Sequence, residues 1–138
     1  MDNRGFIRNL EAFKQAIDPT GMIWGNITGC DIDYFYDFQN KVFVFIELKY
    51  MDAEMKLGQR LALERLCDSC QDGGRESILI VARHCEPISN SIRLEFVPVS
   101  EYRYKGKWNI PRSQMTVREM MDGFLELNGV THAYKKLE

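Results

Sequence analysis

Apolar and polar positions along the chain change period several times, and each change marks an element. Phe6, Leu10, Phe13 and Ile17 recur every three or four residues, which predicts a helix over residues 3–17 with one apolar stripe. Asp18-Pro19-Thr20-Gly21 ends it, because proline cannot continue a helix and glycine turns freely. Residues 22–28 then read as a short strand, 30–36 as a second and 42–50 as a third. The last two are joined through Asp37-Phe38-Gln39-Asn40 into a hairpin.

Helical periodicity returns over residues 53–70, closed by Gly73-Gly74. Residues 77–83 form a continuous apolar run between turn signals, as expected of a strand buried on both faces. Residues 91–99 alternate through Ile92, Leu94, Phe96 and Val99 and read as another strand. Thr116-x-x-Glu119 is a capping box opening a last helix, with Val117, Met120, Met121, Phe124 and Leu125 on one side and Asn128-Gly129 at its end. The order helix, three strands, helix, strand, strand, helix defines an α/β layout with a mixed sheet.

Composition narrows this picture. The 138 residues fit one domain, 1–138, and 45% hydrophobic with 12% aromatic residues exclude wholesale disorder. The longest apolar run, residues 42–46, is far short of the roughly 20 residues a membrane helix needs, and the first residues lack the apolar core of a signal peptide. A soluble, cytoplasmic protein with no membrane partner is expected. A net charge of −2 gives no general pull toward nucleic acid, so any phosphate contact must come from a local patch. Cys67 and Cys70 fall inside a helical pattern and His84-Cys85 are adjacent, spacing that argues against a zinc site.

The chemistry concentrates in Gly29-Cys30-Asp31-Ile32-Asp33 and Phe45-Ile46-Glu47-Leu48-Lys49. Alternation along a strand puts Glu47 and Lys49 on one face, about 6–7 Å apart at roughly 3.3 Å per residue. Asp31 and Asp33 likewise share a face. A hairpin centred near Gln39 sets Asp31 opposite Glu47, about 4.5–5.5 Å away. Opposed carboxylates destabilise a sheet, and a divalent cation relieves them. Mg²⁺ or Mn²⁺, held by Asp31 and Glu47 with Asp33 as a further candidate, suits oxygen donors of this kind. These charges interrupt strands that are otherwise apolar and aromatic, the kind of local rule-breaking that marks functional sites.

Asp31 followed, after a hairpin-length gap, by Glu47-Leu48-Lys49 resembles the PD-(D/E)xK nuclease superfamily. The resemblance spans residues 3–83, with residues 91–130 as a strand–helix extension, and implies a restriction-endonuclease-like αβββαβ core. It also implies a metal-dependent deoxyribonuclease, akin to small phage or prokaryotic recombination nucleases and Holliday junction resolvases, working in a bacterial or phage-infected cell. Carried over, Asp31 is the motif aspartate, Glu47 the acidic metal ligand and Lys49 the catalytic lysine. Cys30 stands where the motif name has proline, and a one-residue change in the turn would exchange Asp31 for Asp33. Some members place a glutamine on the following helix at the active site. Gln59, the one long polar residue on that stripe, either does this or marks its wet end. Glu11 similarly either reaches the metal or is solvated.

Arg103, Lys105, Lys107 and Trp108 lie in a basic and aromatic segment. They either meet DNA or form an exposed hairpin tip turning at Gly106 with Trp108 packed on the body. A domain this small has limited surface for gripping a duplex, which leaves room for a homodimer. The competing class is a non-catalytic nucleic-acid-binding or assembly module on the same fold.

Overall fold

A computed structural model describes residues 16–130. Residues 31–130 lie in one compact unit and residues 16–30 in another. The helix expected over residues 3–17, and Glu11 with it, fall outside the described residues except for Ala16 and Ile17, which carry no helical assignment.

In the smaller unit, the strand expected over residues 22–28 is replaced by a tight turn. Trp24 and Ile27 exchange backbone hydrogen bonds of 3.0 and 2.9 Å around Gly25-Asn26. Gly25 has φ 61°, a left-handed conformation open to glycine, and this turn chemistry in mid-run doubles the chain back.

In the larger unit, β1 (Tyr34–Phe38) and β2 (Val42–Tyr50) form the expected hairpin. Gln39 and Asn40 both have positive φ, as a primed hairpin turn requires. Its centre lies one residue beyond the sequence expectation: Tyr34 pairs with Ile46 and Phe35 with Phe45. β1 also starts at Tyr34 rather than at Cys30, for a local reason. Asp33 Oδ2 accepts the Leu48 N–H at 2.7 Å, so a side chain takes the ladder bond that the next backbone carbonyl would have received.

Helix α1 (Leu57–Asp72) begins four residues later than the periodicity suggests. Arg83 Nη1 donates to the carbonyls of Met51, at 3.0 Å, and Ala53, and so holds residues 51–53 in a loop. The helix closes at Gly74 (φ 95°), with the Arg75 N–H donated back to Cys70 O at 3.1 Å, a glycine-terminated stop.

Strand β3 (Glu76–His84) is the doubly buried strand expected from its continuous apolar run, and it pairs in parallel with β2 through nine residues. Phe45, Leu79, Leu63 and Cys67 form the core between sheet and helix. Burial pushes the Cys67 thiol up to about 12, which makes it an inert core side chain.

The strand expected over residues 91–99 is not formed. Residues 94–96 make one 3₁₀ turn, η1 (Leu94–Phe96). Two of the four alternating apolar residues are left uncovered, Ile92 at 39% and Phe96 at 63% exposed, while Leu94 is half-buried and Val99 buried. The real strand, β4 (Val99–Tyr104), starts directly after Pro98, which has no N–H to donate. It pairs antiparallel with β3 and turns at Lys105-Gly106, both with positive φ, into β5 (Lys107–Asn109). The result is a five-stranded mixed sheet in the order β1-β2-β3-β4-β5.

Helix α2 (Val117–Leu127) carries the expected capping box on Thr116 and Glu119 and buries Val117, Met120, Phe124 and Leu125. Tyr104 meets Phe124 edge-on at 5.3 Å. Among the described residues, no helix is long and apolar enough to cross a membrane.

Candidate active site

Odd-numbered residues of β2 and β3 face α1. The core therefore continues along Phe43, Phe45 and Leu79 until, at the carboxyl end of β2, it meets Glu47 and Lys49. Glu47 is 3% exposed, an unusual position for a carboxylate. Its register partner on β3 is the fully buried Val81, and that of Lys49 is Arg83.

The first turn of α1 supplies the third member. Gln59 Nε2 donates to Glu47 Oε1 at 2.7 Å, and Gln59 Oε1 accepts from Lys49 Nζ at 3.1 Å. Lys49 Nζ is also 3.5 Å from Glu47 Oε1. The glutamine thus matches a donor to the carboxylate and an acceptor to the ammonium, and the three side chains form a closed set. The other carboxylate oxygen, Glu47 Oε2, is buried without a hydrogen-bond partner. Burial, and then the charge of Asp33, push the Glu47 carboxyl above its ordinary value, against the pull of Lys49 and of the Gln59 hydrogen bond.

The structure therefore brings together Glu47, Lys49, Gln59 and Asp33. Continued one step beyond β1, the observed register sets Asp33 opposite Glu47, where the sequence expectation set Asp31. Asp31 is exposed and precedes the strand. The three-carboxylate grouping is accordingly not formed: among the described residues, no group of three or more His, Cys, Asp or Glu side chains is arranged to hold an ion. Two carboxylates remain, Glu47 and Asp33. A buried oxygen lacking a partner beside a second carboxylate fits Mg²⁺ or Mn²⁺, which keep several waters and need only one or two protein carboxylates.

Arg103 and Trp108 face α1 and are engaged there. Arg103 makes a bidentate pair with Asp68, at 3.0 and 2.7 Å, and Trp108 Nε1 donates to Glu64 at 2.5 Å. Arg60, next to Gln59, lies 4.1 Å over the Trp108 ring and pairs with Glu101 at 3.1 Å. Lys105 and Lys107 alone of the four are exposed, at the hairpin tip. Arg103→Ala is expected to destabilise the domain by about 2 kcal/mol, the scale of a charged hydrogen bond lost from a half-buried partner. Lys105→Ala should fall within about 0.5 kcal/mol. Equal losses in urea melts of the two variants would contradict this division.

Arg83 is the ladder neighbour of Lys49 that sequence reading missed, and its guanidinium holds the loop that follows β2. β2 and β3 are parallel strands of nine residues each, with Lys49 and Arg83 both next to last. The expected runs, 42–50 and 77–83, do not pair them when aligned at either end, because β3 gains Glu76 and His84 at its ends. No family model matches the chain, and no curated protein or solved structure matches it.

Proposed function

We propose that this chain is a metal-dependent nuclease of the PD-(D/E)xK type that hydrolyses phosphodiester bonds in DNA. Its setting would be the cytoplasm of a bacterial or phage-infected cell, in recombination or repair. The observation that carries the reading is the closed set of Glu47, Lys49 and Gln59 with the unpartnered Glu47 Oε2, at the carboxyl end of a strand. The described order strand–strand–helix–strand agrees with the last four elements of a restriction-endonuclease-like αβββαβ core.

Glu47 and Asp33 are the residues that would hold Mg²⁺ or Mn²⁺. When bound, such an ion lowers the pKa of a water and offsets charge on the phosphoryl group. Lys49, fixed by Gln59 and Glu47, presents an ammonium that orients the attacking water and stabilises negative charge developing on the phosphoryl oxygens. Gln59 is a positioning residue, since both ends of its amide are committed to the other two side chains.

One observation favours a second reading, a non-catalytic nucleic-acid-binding or assembly module. Glu47 is nearly inaccessible, and a buried carboxylate–amide–ammonium set can serve packing alone. Nicking of supercoiled plasmid separates the two. The nuclease reading expects nicking by the full chain with Mn²⁺ and none with a chelator. No nicking of plasmid, and no cleavage of single-stranded or branched DNA, would select the module.

A further inference from the structure

We propose that the outer edge of β1 is a self-association surface, to which a second copy of this chain adds its own β1, antiparallel, about a two-fold axis at Tyr36. Self-association does not depend on the nuclease reading. Strand β1 ends the five-stranded sheet, and among the described residues no strand pairs with its outer side. Such an edge is a template for another strand, and proteins guard it with charge, proline, a bulge or brevity. The opposite edge is guarded: β5 has three residues and begins with the exposed Lys107. β1 is five residues long, Tyr-Phe-Tyr-Asp-Phe, with no lysine, proline or bulge.

The edge is bare on both faces of the sheet. Successive side chains alternate, so Tyr34 and Phe35 point to opposite faces, yet they are 46% and 48% exposed. Neither ring is loose. Tyr34, Tyr36 and Phe38 stack in a row, with centroids 6.5 and 6.0 Å apart and planes within 18°. On the other face Phe35 is stacked on Phe45 at 5.0 Å. The surface is thus preorganised, and covering it costs little ordering entropy.

The sequence of β1 selects a second copy and one register. A two-fold axis normal to the sheet keeps each face continuous, so it must pass through a residue rather than between two. Centred on Phe35, it brings Asp33, just before the strand, opposite the partner's Asp37. Centred on Asp37, it opposes that residue to the partner's Asp37. Like charges directly opposite destabilise a sheet, which disfavours both. Centred on Tyr36, it sets Tyr36 against the partner's Tyr36, Tyr34 against the partner's Phe38 and Phe35 against the partner's Asp37. Aromatic residues then oppose each other along one face, and no like charges meet. The Asp37 carboxylate is already engaged, since its Oδ1 accepts the Asn40 N–H at 2.7 Å. The same axis leaves the α1 side of both copies, and with it both sets of Glu47, Lys49 and Gln59, on one side of the joined sheet.

Five paired residues a side make a small interface, so the dimer should form reversibly with concentration. The test is sedimentation equilibrium of the full chain, in which the mean mass should rise from 16.1 kDa toward twice that value as concentration increases. Tyr36→Lys and Tyr36→Glu each put like charges on the axis and should each stay monomeric, while their equimolar mixture should regain the dimer. Hydrogen exchange of the wild type reads the same surface without a substitution: the amides of residues 34–38 should slow as concentration rises. A wild type monomeric at every concentration, variants that dimerise alone, or a mixture of folded variants that stays monomeric would overturn the proposal. Should either variant fail to fold, exchange decides. Amides of β1 indifferent to concentration, or protected already in the dilute monomer because the chain covers its own edge, would equally overturn it.

Discussion

Lys49→Ala is expected to lower DNA cleavage by about 10²–10⁴-fold, the range associated with a positioned acid–base or electrostatic group. The structure gives the reason. Lys49 is tied to both Gln59 Oε1 and Glu47 Oε1, so its ammonium is placed before substrate arrives and requires no reorganisation. Lys49→Arg keeps the charge but not the compact point donor and should recover only part of the rate. Gln59→Ala should cost less, because it removes the tether and leaves the ammonium. Its signature is a shifted pH–rate profile, which a purely structural residue would not produce. Plasmid-nicking rates in Mn²⁺ for the three variants provide the check. Rates equal to wild type for Lys49→Ala would remove the site as assigned.

Glu47→Gln is expected to do two opposite things: abolish cleavage and stabilise the fold. The neutral amide keeps an oxygen for Gln59 but carries no charge out of water. The Glu47 carboxyl is raised above its ordinary 4.5 in the folded state, so the folded protein holds its proton to higher pH than the unfolded chain. Stability is then fully present below pH 4.5 and is lost as pH rises through the folded value. Above that value the wild type carries the burial cost of an ionised, half-satisfied carboxylate, on the order of 1–3 kcal/mol. Thermal melts in chelator should therefore coincide for wild type and Glu47→Gln at low pH and separate as pH rises, the variant melting higher. Added Mn²⁺ should raise the melting temperature of the wild type only, since an ion that binds the folded state stabilises it. A constant gap between the two proteins at every pH would contradict the electrostatic account.

The elements with unbroken patterns were legible. The continuous run of β3, the Thr116 capping box and the Gly73-Gly74 stop all appear where periodicity and turn chemistry put them. Errors arose where one side chain overrode the backbone preference. Asp33 delayed the start of β1 by taking the Leu48 N–H, and Arg83 delayed α1 by taking two carbonyls of the loop before it. Neither effect is local in sequence, so no window over the chain can show it.

The site shows the same division. Glu47, Lys49 and Gln59 were identifiable as polar residues breaking apolar stripes, and the structure joins them. The choice between Asp31 and Asp33 hung on a single residue of hairpin register, which the positive φ of Gln39 and Asn40 fixed. For the segment around Arg103 and Trp108 the sequence left two readings, and the hairpin tip turning at Gly106 with Trp108 packed on the body is the one the structure matches. The acidic partners Asp68 and Glu64 were not legible, because they lie more than thirty positions away on α1.

The most direct measurement is the anomalous difference density of a crystal soaked in Mn²⁺. A peak bonded to Glu47 Oε2, with Asp33 as its second carboxylate and waters completing its shell, is the predicted result. Saturating Mn²⁺ with no peak at Glu47, or with manganese bound only at other carboxylates, would contradict it.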